Sequence, residues 1–289
     1  MASLTASAAA PADHKPAARP PGVSAGSAGA PRLLALLCDP EVDVGAVLDA
    51  LRSEPALTAR VLKVANSPYY SQRGHVGTLD RAVQVLGLAA IRGIAAAACL
   101  DRAMPARAGQ AFEPQRFRQH SMAVAIAAQQ LSKALRAGVD SEAFMAGLLH
   151  DIGILVLAQA DAPAMAGFQP PEQVPVADAL LSERSHFGAD HAEAANRLVQ
   201  AWSLPDWLLV PLTAHHAPDA AAVGSGLAVL PALISLADHL ADRAGFGLWP
   251  VCAQPPEDAV LIALGLDSAT MDAIAADLPL RLGQFMAQA

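Results

Sequence analysis

The histidines of this chain are its richest source of chemistry. There are nine. Five of them, with two aspartates, stand out once helices are laid on the sequence: His120, the pair His150-Asp151, His191, the pair His215-His216, and Asp238. Imidazole and carboxylate together suit Fe, Mn, Zn and similar divalent ions, and one carboxylate can bridge two of them. Two such ions about 3.5–4 Å apart would activate water for phosphoester hydrolysis. Adjacent residues on a helix point about 100° apart, so His150 and Asp151 can reach different flanks of one site. The spacing forms no short ligand motif such as His-Glu-x-x-His. Each histidine taken singly reads more readily as a core or surface residue than as a ligand. Any shared chemistry therefore depends on the helices that bring distant positions together.

The composition favours such helices. Hydrophobic residues make up 54% of the chain and aromatics only 4%, which leaves Ala, Leu, Val and Ile to build the core. Ala is the best helix former and is poor in strands. Val44, Val47, Leu48 and Leu51 recur at helical spacing and predict a helix over 44–51. Pro55 opens a second helix, which Asn66-Ser67-Pro68 stops, because the residue before Pro leaves the α region. Asn66 there suits a left-handed turn. Thr78 caps a helix that ends at Leu86, and Gly87 breaks it. Helices over 88–100 and 113–135 follow, the second closed by Arg136-Ala137-Gly138. Asp140 or Ser141 caps the next, which runs through Leu149. Further helices are predicted over 177–185, 190–202, 205–215, 227–241, 257–264, 268–276 and 280–286. Ser203 and Asp206 have the shape of a capping box. No run alternates with period two. The expected fold is all-α, a helical bundle with a short helical C-terminal extension. Residues 1–30 hold mostly Ala, Pro, Ser and Gly without apolar periodicity, and read as a disordered tail.

Several classes of function are disfavoured. Nineteen Lys+Arg against 27 Asp+Glu give a net charge of −8, so no basic face for nucleic acid is expected. Arg92, Arg116, Arg118, Lys133 and Arg136 read as a solvated face. A membrane-spanning helix needs about 20 apolar residues. The longest runs, 85–100, 147–160 and 227–237, are interrupted by Arg92, by His150-Asp151 and by Pro231, so no membrane span is expected. Three cysteines without a Cys-x-x-Cys pair fit a reducing cytoplasm better than a disulfide framework or a thiolate zinc site. No signal peptide is evident.

The run Gly147-Leu148-Leu149-His150-Asp151-Ile152-Gly153 resembles the heart of the HD superfamily, helical metal-dependent phosphohydrolases. The text around it resembles the HDOD domain, the HD-related output domain of bacterial signalling proteins. The resemblance covers residues 27–222, in order. Its first half carries Asp39-Pro40, Leu62 to Asn66-Ser67, Tyr69-Tyr70 and Ala82 to Leu86-Gly87. Its second half carries His120-Ser121, the His-Asp run, Glu183, Phe187-Gly188, His191, Trp202, Leu204-Pro205 and His215-His216. It implies an HD-type bundle over 27–222, with residues 223–289 packed on it as a helical extension.

The resemblance also implies a site. His120, His150, Asp151, His191, His215, His216 and Asp238 all fall where HD-type relatives place ligands, so one or two divalent ions (Fe, Mn or Zn) are expected. HD-GYP phosphodiesterases, which degrade cyclic di-GMP, have a Lys after the His-Asp-x-Gly run, where this chain has Ile154. They also carry a Gly-Tyr-Pro segment, where Ala217-Pro218-Asp219-Ala220 follows His215-His216 here. HDOD proteins are regarded as regulators that bind partners or ligands. The implied function is a bacterial, cytoplasmic signal-transduction regulator. It would act through signalling-protein partners or a nucleotide second messenger. The alternative is a metal-dependent phosphohydrolase, in particular a cyclic dinucleotide phosphodiesterase. A third reading, a di-iron redox or gas sensor, would show a visible absorption band. No receiver, cyclase or kinase segment is legible, so the expectation is a free adaptor whose input lies on another chain.

Overall fold

The computed structural model describes residues 29–67, 75–104, 112–171, 174–224, 226–249 and 258–286, and no strand occurs among them. The helices α1 (Gly29–Cys38), α2 (Val44–Arg52), α3 (Pro55–Ala65), α4 (Leu79–Leu86) and α5 (Leu88–Ala103) form an N-terminal group packed on one another. The long α6 (Pro114–Leu135) follows, then α7 (Asp140–Leu149), α8 (Ile152–Ala160), α9 (Ala162–Gly167), α10 (Val176–Phe187) and α11 (His191–Ala201). The last are α12 (Leu209–Ala214), α13 (Leu230–Arg243), α14 (Asp258–Leu264) and α15 (Ser268–Met286). The expected tail lies outside the described residues, apart from the start of α1.

α6 is the axis of the molecule. From His120 to Ala128 every residue is buried, the signature of a helix surrounded by others. α7, α13 and α15 pack along it, and α8 lies against α11. α5 touches α7 and so links the N-terminal group to this axis.

Several boundaries follow from the side chains that set them. Thr78 accepts a hydrogen bond from the Arg81 N–H at 3.2 Å, a side-chain N-cap. Gly87, at φ 81°, ends α4, and α5 departs at 113° to it. Asn66 stops α3 as expected, but in a right-handed conformation (φ −94°, ψ 6°). Its amide bonds Leu62 O and Val76 O, and its oxygen accepts from Val76 N–H. It clamps two segments together rather than turning the chain.

Other expectations need correction. Asp140 does not cap α7; Val139 occupies that place, and Asp140 accepts from the Ser132 hydroxyl at 2.6 Å. The capping box at Ser203 does not form. Ser203 instead takes a left-handed conformation (φ 51°). Its N–H bonds Gln200 O and that of Leu204 bonds Val199 O, a Schellman ending of α11 in the place glycine usually fills. The next segment begins as a 3₁₀ turn, Asp206–Leu208. The two helices expected over 268–276 and 280–286 are one, α15, which continues through Pro279.

Arg92 is not part of a solvated face. It is buried, and its guanidinium donates to Leu37 O and Asp39 O at the end of α1. Asp140–Ala160, taken as one helix, is long and apolar enough to cross a membrane, which the reading of 147–160 as interrupted missed. Its apolar window is 83% buried inside the protein, as the core helix of a bundle must be.

Candidate metal centre

The seven predicted side chains come from α6, the α7–α8 corner, α11, the end of α12 and α13, and they meet. His120 lies in the second turn of α6. His150 and Asp151 are the two residues that join α7 to α8. His191 is the first residue of α11, held there by Asp190, whose carboxylate accepts from the Glu193 N–H at 2.8 Å. His215 and His216 follow the last turn of α12, and Asp238 lies on α13.

Two glycines allow this approach. A Cβ on Gly147 would stand 2.8 Å from Ala125 Cα, in α6. A Cβ on Gly153 would stand 1.8 Å from the carbonyl oxygen of His191, in α11. The His150-Asp151 corner is thus pressed between two helix backbones, one carrying His120 and the other His191. The sequence displays both glycines beside the His-Asp pair, but their purpose appears only once the helices are packed.

Ligand atoms gather in two groups. Asp151, His191, His215 and His216 each offer an atom within 4.8 Å of one another, and so do His120, His150 and Asp238. Asp151 faces both. Its Oδ1 is 3.4 Å from His191 Nε2 and 3.8 Å from His215 Nε2. Its Oδ2 is 3.5 Å from Nε2 of both His120 and His150. Asp238 Oδ1 closes the second group, 3.4 Å from His120 Nε2.

The outer edges of the rings are tied. His120 Nδ1 lies 2.9 Å from Phe246 O, and His150 Nδ1 lies 2.9 Å from Gly147 O. A carbonyl only accepts, so each Nδ1 carries the proton and each Nε2 presents its lone pair inward. His191 Nδ1 is 2.8 Å from Glu183, whose buried carboxylate also accepts from the His191 backbone N–H. Such partners fix the tautomer and orientation of ligating histidines. Glu183 was visible in the sequence only as part of the family resemblance. Its place in the site depends on the turn through Gly188 (φ 79°) that folds α10 back onto α11.

These contacts test whether a cation fits. His120 Nε2 and His150 Nε2 face each other at 3.2 Å. With both Nδ1 atoms protonated, only a positive charge between them relieves two opposed lone pairs. His215 is buried with neither ring nitrogen hydrogen-bonded, an orphan of the kind that needs a ligand. The protonation pattern agrees. Burial pushes the imidazolium of His120 down, but the hydrogen bond to Asp151 and the charges of Asp238, Asp151 and Asp242 outweigh it and raise it to about 9. Burial acts on His191 likewise and is overcome, chiefly by Glu183, so that it too rises to about 9. Burial and the neighbouring imidazoles hold His215 well below its ordinary value and lower His216 to about 3. Burial also lowers His150, against the pull of Asp151. Burial opposes the charged form of Asp151, yet the surrounding histidines hold it well below the usual carboxylate range. Each half thus has one protonated imidazole beside neutral ones, a proton standing where a divalent ion fits.

Asp242, one turn beyond Asp238, joins the electrostatics, and no motif in the sequence marks it. Burial and the Asp238 charge raise it to about 7.

Comparison with known proteins places this arrangement. Residues 28–218 match the HDOD domain family. Asp238 lies beyond the matched segment, on α13. A structure from Shewanella amazonensis SB2B that bears a provisional phosphohydrolase name is 28% identical, with 91% of this chain and 92% of that one covered and a TM-score of 0.65. One from Marinobacter aquaeolei VT8 with a provisional signal-transduction name is 26% identical, covering 90% of this chain and 58% of that one, with a TM-score of 0.70. An HDOD domain protein of unknown function from Geobacter sulfurreducens shares the fold, with 24% identity, 94% and 92% covered and a TM-score of 0.67. Among curated proteins, an uncharacterised protein of Treponema pallidum (strain Nichols) is 23% identical over 185 residues, 62% of this chain. The chain spans about a third (34%) of that relative's length.

Proposed function

The chain belongs to the HDOD domain family, and on that premise we propose that it is a signal-transduction regulator built around a two-ion divalent-metal centre. It acts by binding a signalling partner or a ligand, not by turnover. The observation that carries this reading is the convergence of five histidines and Asp238 on Asp151, with three of the rings tied at their outer nitrogens. His191, His215, His216 and Asp151 Oδ1 would hold one ion. His120, His150, Asp238 and Asp151 Oδ2 would hold the other. Bound divalent ions supply Lewis acidity and lower the pKa of water.

The chain's own residues do the positioning. Glu183 keeps the proton on His191 Nδ1, and the carbonyls of Phe246 and Gly147 keep it on His120 and His150 Nδ1. Ile154, where the HD-type phosphodiesterases carry lysine, is buried in the core and cannot stabilise a phosphoryl charge. That difference favours the regulator over the metal-dependent phosphohydrolase.

The test is elemental analysis of protein purified without chelators and without a His tag, joined to a cyclic di-GMP hydrolysis assay. About one to two equivalents of Fe, Mn or Zn per chain are expected, with turnover far below about 1 per second. Protein that takes up no metal would end the metal-centre reading. Turnover at enzyme-like rates would replace the regulator with the phosphodiesterase.

A further inference from the structure

A second feature lies on the other side of α6. A cavity of about 180 Å³ opens among α3, α5, α6, α7 and the end of α15, and none of the seven site residues lines it. One water molecule needs only about 15 Å³ measured in this way. Its body is apolar and adaptable, formed by Met104, Phe117, Met122, Leu148, Phe285 and Met286. Methionine's flexible, polarisable side chain suits walls that fit varied ligands.

The polar groups of the cavity are incompletely used. Asp101 meets Arg60 at 2.6 Å and Arg118 at 3.7 Å, so two guanidiniums share one carboxylate and a positive charge is left over. Arg60 Nε is buried without a hydrogen-bond partner. So is the hydroxyl of Ser121, a residue only 1% exposed. A serine within a helix commonly bonds back to the carbonyl one turn earlier, as Ser185 does to Leu181 O. Ser121 does not, so its hydroxyl is left unpaired just behind the cavity wall.

We propose that this cavity binds a small amphiphile with a carboxylate head and a short apolar body, of the chemical class of a medium-chain fatty acid. The head pairs with Arg60 and Arg118, whose planar forks match a carboxylate, and the body displaces water from the methionine-lined wall. One spare positive charge matches a monoanion better than a phosphate monoester, which carries nearly two negative charges. Ser121 and Leu148 in this wall stand one and two positions before or after His120 and His150, so the cavity backs directly on the metal centre. The inference does not rest on metal being bound there.

The methionines report it. The full chain has seven, of which Met104, Met122 and Met286 line the cavity while Met145, Met165 and Met271 do not. In spectra of the full-length protein with ¹³C-labelled methionine methyls, octanoate is expected to move the first three resonances and leave the other three in place. The uncharged 1-octanol should need at least about tenfold more, and Arg118→Met should weaken octanoate about tenfold, the loss of one charge-assisted pair. Arg118 is half-exposed, so this variant should fold. Ala97→Leu, which fills the cavity, should abolish the shifts with an unchanged helical spectrum. The proposal is overturned if about millimolar octanoate moves none of the three, if all six move alike, or if octanol matches octanoate.

Discussion

Asp151 is the residue that faces both halves of the proposed centre. Its two oxygens face different imidazoles, whereas Asp238 touches only the His120–His150 half. Removing each carboxylate should therefore leave different stoichiometries. Asp151→Ala should retain almost no divalent metal, and Asp238→Ala should retain about half the wild-type content, because in the proposed centre the first carboxylate would serve both ions and the second only one. The comparison is one of chemistry and not of folding. Asp151 stands at the start of α8 but makes no side-chain capping bond there, so its loss takes no cap from the helix. Metal content by elemental analysis, beside a far-UV spectrum that matches wild type, checks it. Equal retention by the two variants would remove the bridge from the scheme.

At the scale of elements, the site exists because α8 and α11 touch at a point where only glycine fits. Gly153→Ala places a methyl carbon against the backbone of His191 and Ala195. Backbone cannot rotate aside, so α8 and α11 must part. A loss of about 1–3 kcal/mol in denaturant unfolding is expected from such overpacking, together with loss of metal from the half that His191 serves. Gly167→Ala, where an added methyl meets nothing within 4 Å, should change neither. The same contact shows what the sequence could display. Helices set by local chemistry were legible: Thr78 and Gly87 bound α4, and Pro55 opens α3. The seven side chains stand out by residue type once helices are laid on the sequence, but a shared site was implied only by resemblance, since no spacing links His120 to Asp238. Features that depend on packing were not legible. Glu183 orients His191 across a turn, Gly147 and Gly153 let backbones meet, and α15 runs on through Pro279 because neighbours on α6 and α13 hold it. Ser203 looked like a cap because its side chain suits one. The backbone instead used that position to end α11.

The molecule as a whole should register the centre as a pH profile of stability. In the metal-free protein, His120 and His191 stand at about 9, above the ordinary 6.5 of the unfolded chain. They bind protons more tightly when folded, so their stabilising effect is complete below about pH 6.5 and is lost as pH rises through 9. His150, His215 and His216 are displaced the other way, His216 to about 3. Unfolding lets them take up protons, so they destabilise the fold increasingly as pH falls below 6.5. Asp242, raised to about 7, favours the folded state at acid pH and loses that effect between 3.8 and 7, but it is one group against three. The chelated protein should therefore be most stable near pH 6.5, with its melting temperature falling on either side. Metal should shift that maximum upward. An ion at His120 or His191 must displace a proton, so below about pH 9 its affinity grows with pH, up to tenfold per unit for each proton released. Melting curves from pH 5 to 9, with chelator and with added Mn²⁺, check both halves of the argument. A chelated protein whose stability kept rising from pH 6.5 to 9 would show that His120 and His191 are not the protonated members of the cluster.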